Sequence, residues 1–322
     1  MKLGSLIALL LGLAVLSATV VWVGAGAVAG ALLAAGVGGV VAITAFNVAT
    51  MGICALGWRA LIDPALPRTT PLIVWARVLR GSLSELVPIG GELVSIRVLT
   101  LHGMRAAAAG ASTVVDLTLE LASQIGFTAL GLILLALDGR ADAVVRWGLL
   151  GVGVSSAALT AFVIVQRRGV FRWIERMPHR LADHLPWARL SELAGLHQEV
   201  ENIYRRRSVV IPCLLWHSLA WIVGVGEAWL ALWFLQAPLP FASVLVIESL
   251  FFALKGAAFV VPAALGVQEL GYLALGALFG VGSEVALALS LLKRAREVVL
   301  AVLALAGWKL VELRAWRRAR PA

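Results

Sequence analysis

The chain has 322 residues, 61% of them hydrophobic, a formal net charge of +9 and a mean hydropathy of +0.95. A soluble domain is roughly 45–50% apolar, so this composition points to a polytopic membrane protein and excludes an ordinary soluble enzyme. The basic residues fall mostly between apolar runs rather than on one soluble face, which excludes a nucleic-acid partner and reports membrane topology instead.

A bilayer core of roughly 30 Å takes about 20 apolar residues as helix. Six stretches meet that pattern: 3–24, 31–58, 107–137, 147–166, 209–236 and 284–310. The first is long, has only Lys2 before it and is followed by another apolar run, so it reads as a retained span rather than a cleaved signal. Two further regions, 72–104 and 238–281, are apolar but interrupted. Arginine bias puts Arg59 to Arg80, the loop 167–208 and the tail after Trp308 in the cytoplasm. Parity then requires each interrupted region to enter and leave on one face, as a re-entrant hairpin. The expected fold class is therefore all-α: a helical bundle of six spans and two hairpins, with both termini cytoplasmic.

The order span, span, hairpin, span occurs twice, starting from opposite sides. It predicts an inverted repeat of 1–140 and 141–322, with the loop 167–208 inserted in the second half. The hairpins share a local string. Val87 to Glu92 reads VPIGGE, and Val261 to Glu269 reads VPAALGVQE. Pro88, Gly90 and Gly91 break the first helix and Pro262 and Gly266 break the second. Glu92 and Glu269 sit where a half-helix starts, at the positive end of its dipole. Transporters place such discontinuous helices against their substrate near the midplane. The alternative is that both glutamates are only helix caps.

Charges inside the spans mark a polar interior, because each costs on the order of 3 kcal/mol when it faces lipid. Asp116 and Glu120 share one helix face in the third span. Lys293, Arg294, Arg296 and Glu297 lie at similar depth in the last. The expected pairs are Asp116 or Glu120 with Arg294 or Arg296, and Glu297 with Lys293 four residues away. Positive charge is left over unless both acids contribute, and that surplus suits an anionic lipid headgroup. Glu248, Lys255 and Arg97 complete the candidate lipid-binding set.

The loop 167–208 alternates Phe171, Trp173, Ile174 and Met177 with arginines, the pattern of an interfacial amphipathic helix, and 190–204 has helical spacing. The five histidines are scattered, and Cys54 and Cys213 lie in apolar runs, so no metal site, disulfide or cofactor is expected. Most tryptophans, such as Trp22, Trp58, Trp147 and Trp308, fall near span ends as interfacial anchors. No nucleophile–base set or P-loop is visible, so the chain is not expected to be an enzyme.

The stretches GGELVSIRVLTLHG, VVDLTLELASQ and VVPAALGVQELGYLALGALFG resemble the transmembrane region of lysylphosphatidylglycerol synthases and related flippase-like proteins. Within that group the chain is most similar to inner-membrane proteins associated with hopanoid biosynthesis. The resemblance implies a bacterial inner-membrane protein that moves or handles lipids without catalysis in this region. In the wider pattern an arginine follows the hairpin acid by three residues. Here Ser95 holds that place and the arginine is Arg97. Thr113, Val114 and Val115 stand where a Glu-Arg pair often precedes Asp116. These departures fit a substrate other than an aminoacylated phospholipid. The expected function is a lipid translocase or transport facilitator for a hopanoid or other amphipathic lipid. The alternative is a non-transporting scaffold or lipid-binding partner for lipid-biosynthesis enzymes.

Overall fold

The computed structural model describes residues 21, 25–85, 90–139, 142–168, 195–258, 261 and 264–319. Those residues form ten helices and no strand. The first span expected at 3–24 and the amphipathic stretch around 171–180 lie outside them, as do Pro88 and Pro262.

In chain order the helices are α1 (Ala25–Leu61), α2 (Thr70–Ser84), α3 (Gly90–Leu101), α4 (Ala106–Leu137), α5 (Asp142–Arg168), α6 (Leu196–Arg205), α7 (Arg207–Phe234), α8 (Phe241–Ala257), α9 (Val267–Ala277) and α10 (Ser283–Ala319). Four of them are long and apolar enough to cross a membrane: Leu32–Leu61 of α1, α4, Ala143–Arg168 of α5, and α7. Helix α10 has 37 residues, about 55 Å of helix. Its central run of Lys293, Arg294, Arg296 and Glu297 sets it apart from those four.

Each interrupted region folds as two short helices separated by a break. The first is α2 and α3, of 15 and 12 residues, packed side by side. The second is α8 and α9, of 17 and 11 residues, also in contact. All four fall short of the roughly 20 residues that a crossing requires. The first break depends on one small residue. A Cβ on Gly91 would lie 2.1 Å from the Arg80 carbonyl oxygen and 2.4 Å from Ser84 Oγ. Only glycine lets α3 start this close against the end of α2. The second break turns at Gly266, whose φ of 80° is left-handed.

Large apolar side chains face outward while a set of charges is buried within the largely apolar interior. Val144, Leu150, Val154 and Phe162 of α5 and Val298, Val302 and Leu303 of α10 are exposed. Arg80, Asp116, Glu248 and Glu269 are at most 1% exposed. Water would make that arrangement costly, whereas a bilayer solvates the apolar belt and leaves the charges to pair inside.

Helix α1 packs on α7, α10 and α2, and α4 packs on α8, α7, α5 and α6. Helix α6 buries Leu196, Val200 and Ile203 beside α4, in line with the helical spacing expected there. One expectation about tryptophan fails. Trp58 is no interfacial anchor: it is fully buried, donates from Nε1 to Ser112 Oγ at 3.2 Å and lies under the Arg80 guanidinium at 4.5 Å. Its position near a span end is overridden by the neighbouring cation, which an aromatic face stabilises.

Candidate lipid-binding cavity

The interior charges surround a cavity of about 390 Å³. Helices α1, α2, α4, α7, α8 and α10 line it, with Glu92 of α3 and Gln268 of α9. The lining combines charged side chains with Phe127, Trp221, Phe251 and Phe252, and Lys293 Nζ lies 5.6 Å from the Phe251 and Phe252 rings. Trp221 stacks on Phe127 at 5.5 Å and meets Phe252 edge-on at 4.8 Å. Two lining residues, Leu121 of α4 and Gly256 near the end of α8, are also exposed on the surface, so the rim of the cavity reaches the apolar belt.

Two ion networks supply the charged part of the lining. In the first, α2 supplies the cations and α4 the acids. Arg77 pairs with Glu120 and Arg80 with Asp116, and Arg80 also lies 3.3 Å from Glu120. His217 of α7 donates from Nε2 to Asp116 Oδ1 at 2.8 Å, and Cys213 Sγ lies 3.6 Å from the same oxygen. Spacing explains the assembly. Arg77 and Arg80 are three residues apart, and Asp116 and Glu120 are four apart, so each pair presents one helix face to the other.

In the second network α10 supplies most of the cations. Lys293 reaches Glu248 of α8 and the Tyr272 hydroxyl of α9, both at 2.7 Å. Tyr272 donates to Glu248 at 2.6 Å. Arg296 reaches Glu227 of α7 at 3.1 Å, and Asn47 of α1 donates to the same carboxylate at 2.7 Å. Arg294 holds Glu269 at 2.9 Å. Glu269 also accepts from Ser290 Oγ at 3.2 Å and from the Gly266 N–H at 2.8 Å.

The tips of the two broken elements touch. Glu85, at the end of α2, pairs with Lys255, near the end of α8, at 2.8 Å. Lys255 has a second carboxylate, Glu297, at 3.5 Å. The Glu85–Lys255 pair is more exposed than the pairs around Asp116 and Glu248, with side chains 33% and 19% accessible.

The expected pairing is therefore corrected. Asp116 and Glu120 do not meet Arg294 or Arg296, because the Arg77 and Arg80 side chains of α2 reach across to them instead. Glu297 meets Arg294, Arg296 and Lys255, not Lys293, which is drawn to Glu248. The positive charge of the central α10 run is also matched among the described residues: Lys293 pairs with Glu248 of α8, Arg294 with Glu269 of α9 and Arg296 with Glu227 of α7.

Of the anticipated residues, Glu92, Glu120, Glu248, Lys255, Lys293, Arg296 and Glu297 line the cavity. Asp116 lies behind Arg80, fully buried. Glu269, Arg294 and Gly266 hold the second break from outside the lining, and Gly91 holds the first. Gly90 opens α3 but is not part of the lining. Arg97 points away: it is exposed and bonds Glu312 at 3.1 Å. Five residues beyond Glu92, it falls on a different face of α3.

Sequence reasoning missed Arg77, Arg80, Glu85, Asn47, Glu227 and His217. Arg77 and Arg80 had been assigned to a cytoplasmic connection, yet they are buried in α2. Glu227 and His217 carried a usable signal, since each is a polar side chain deep in an apolar run. Asp116, Cys213 and His217 bring one donor atom each within 4.8 Å of one another, as do Cys54, Glu120 and His217. Arg80 already occupies the Asp116 carboxylate and would face any cation held there, so the arrangement suits an ion network better than a metal.

No curated protein and no solved structure matches the chain. A family model does match it, over residues 6–307, and by that match the chain belongs to the family of the lysylphosphatidylglycerol synthase transmembrane region.

Proposed function

We propose that this protein is a non-enzymatic lipid translocase or transport facilitator of the bacterial inner membrane. Its substrate is an amphipathic lipid, such as a hopanoid derivative. The observation that carries the reading is the charged, aromatic-walled cavity of about 390 Å³ between the two pairs of short helices. A site lined by both charged and aromatic side chains fits a headgroup with part of its tail. The remaining chain leaves past Leu121 and Gly256, where the rim reaches the apolar belt.

In this reading the two short-helix pairs are re-entrant hairpins of an inverted repeat, entering from opposite faces with both termini cytoplasmic. Broken helices at membrane depth are tolerated where protein or a watery cavity covers their backbone. The Glu85–Lys255 pair joins the two tips. Parting it opens one side of the cavity, and Lys255 keeps a carboxylate at Glu297 while it does so. Alternating access then amounts to exchange of partners within the network.

The test is transbilayer movement of fluorescent phospholipid and polyterpenoid probes in liposomes holding the purified protein. The variant is Glu85→Gln with Lys255→Gln, which removes both charges together and strands neither. Protein-dependent movement that the folded double variant alters supports the reading. A folded wild type that moves no probe overturns it in favour of a scaffold for lipid-biosynthesis enzymes.

A further inference from the structure

We propose that the cavity selects a headgroup of no net charge that both donates and accepts hydrogen bonds, with Asn47 and Glu227 as its acceptor pole. The proposal deepens the translocase reading and rests on it for the identity of the ligand as a lipid.

The first argument is charge. Five cationic side chains line the cavity against six carboxylates, with His217 beside them. Each of the five has a carboxylate within salt-bridge distance: Arg77 with Glu120, Arg80 with Asp116, Lys255 with Glu85, Lys293 with Glu248 and Arg296 with Glu227. No lining cation stands ready for a phosphate. An anionic headgroup would be desolvated beside six carboxylates whose cations are already paired, which is unfavourable in a low-dielectric site.

The second argument is unmet hydrogen bonding. Asn47 Oδ1 and Glu227 Oε1 are buried acceptors with no hydrogen-bond partner among the described residues. Arg77 Nε, Arg80 Nη1 and Arg296 Nε are buried donors in the same condition. All five residues line the cavity. These atoms have almost no accessible surface, so a ligand in the cavity meets them through a small turn of the lining side chains. Buried polar atoms are ordinarily paired, and orphans of both kinds on the residues of one lining mark a place for a ligand. A purely anionic group satisfies only the guanidinium N–H groups, and a purely cationic one only the two oxygens. A hydroxylated or a zwitterionic headgroup satisfies both. The Asn47 amide already donates to Glu227 at 2.7 Å, which fixes its oxygen as the free end.

The experiment is equilibrium binding of three lipids with identical acyl chains to the purified full chain in detergent: a glucosyl diacylglycerol, phosphatidylethanolamine and phosphatidylglycerol. At least one of the first two is expected to bind tenfold tighter than phosphatidylglycerol, and the tighter one identifies the hydroxylated or the zwitterionic class. Phosphatidylglycerol binding as tightly, or no lipid binding at all, overturns the proposal. Asn47→Leu is expected to weaken the neutral lipid severalfold and leave phosphatidylglycerol unchanged. An equal effect on all three removes Asn47 from the acceptor pole, and the wild-type comparison stands even where that variant does not fold. Selective binding without transbilayer movement would defeat the translocase reading alone, and unselective movement would defeat this proposal alone.

Discussion

The two breaks carry nearly the same string, yet their glutamates end in different environments. Glu269 is fully buried and held by Arg294, Ser290 and the Gly266 N–H. Glu92 lines the cavity, is partly exposed and, among the described residues, accepts from the Ser84 hydroxyl alone, at 3.0 and 3.1 Å. The difference lies in the neighbouring long helix. Helix α10 lies beside α9 and brings Arg294 to its acid. Helix α4 lies beside α3 and carries acids of its own, already matched to α2. One motif has become a structural clamp in the second break and an accessible carboxylate in the first.

That contrast sets the order of expected effects. Glu269→Gln leaves Arg294 with a weakened buried partner and only Glu297 as a full carboxylate, at 3.5 Å, and should cost about 3 kcal/mol, the low end for a broken buried pair. Thermal unfolding in detergent would measure it, and an unchanged midpoint would mean that Glu269 is no clamp. Gly91→Ala forces a methyl against the Arg80 carbonyl and Ser84. Overpacking of this kind typically costs about 1–3 kcal/mol. The same unfolding assay should show a smaller loss than for Glu269→Gln, and any lipid movement should fall as α2 and α3 part. Glu92→Gln should change stability least, by under about 1 kcal/mol, because it loses a charge near the rim and keeps its Ser84 bond. If Glu92→Gln destabilised the protein as much as Glu269→Gln, the two breaks would be equivalent and the comparison would fail.

Other regions divide along a similar line. The long helices α1, α4, α5 and α7 were legible because about 20 apolar residues in a row have few folded alternatives. That each interrupted region yields two short helices, with α3 starting at Gly90 and α9 following Gly266, was legible from proline and glycine. Asp116, Glu120, Lys293 and Arg296 were legible as interior groups, since a charge in an apolar run must face protein. The same rule applied to Glu227 and His217 would have found two more. Arg77 and Arg80 were not legible. They sit in an arginine-rich stretch that follows a span, and arginine bias counts such residues as loop. Only the tertiary arrangement, in which their side chains span the gap to α4, reveals them as partners for Asp116 and Glu120.

The sequence by itself determined that this is an all-helical membrane chain with two interrupted elements and an inward set of charges. Those properties follow from local geometry and from the cost of exposing a charge to lipid. Tertiary structure decided which acid meets which cation, that one glutamate is clamped and the other accessible, and that the lining carries no surplus of positive charge. Helix periodicity fixes the face on which a side chain lies. What lies opposite that face depends on how helices far apart in sequence pack together, and a 3.6-residue period carries no record of it.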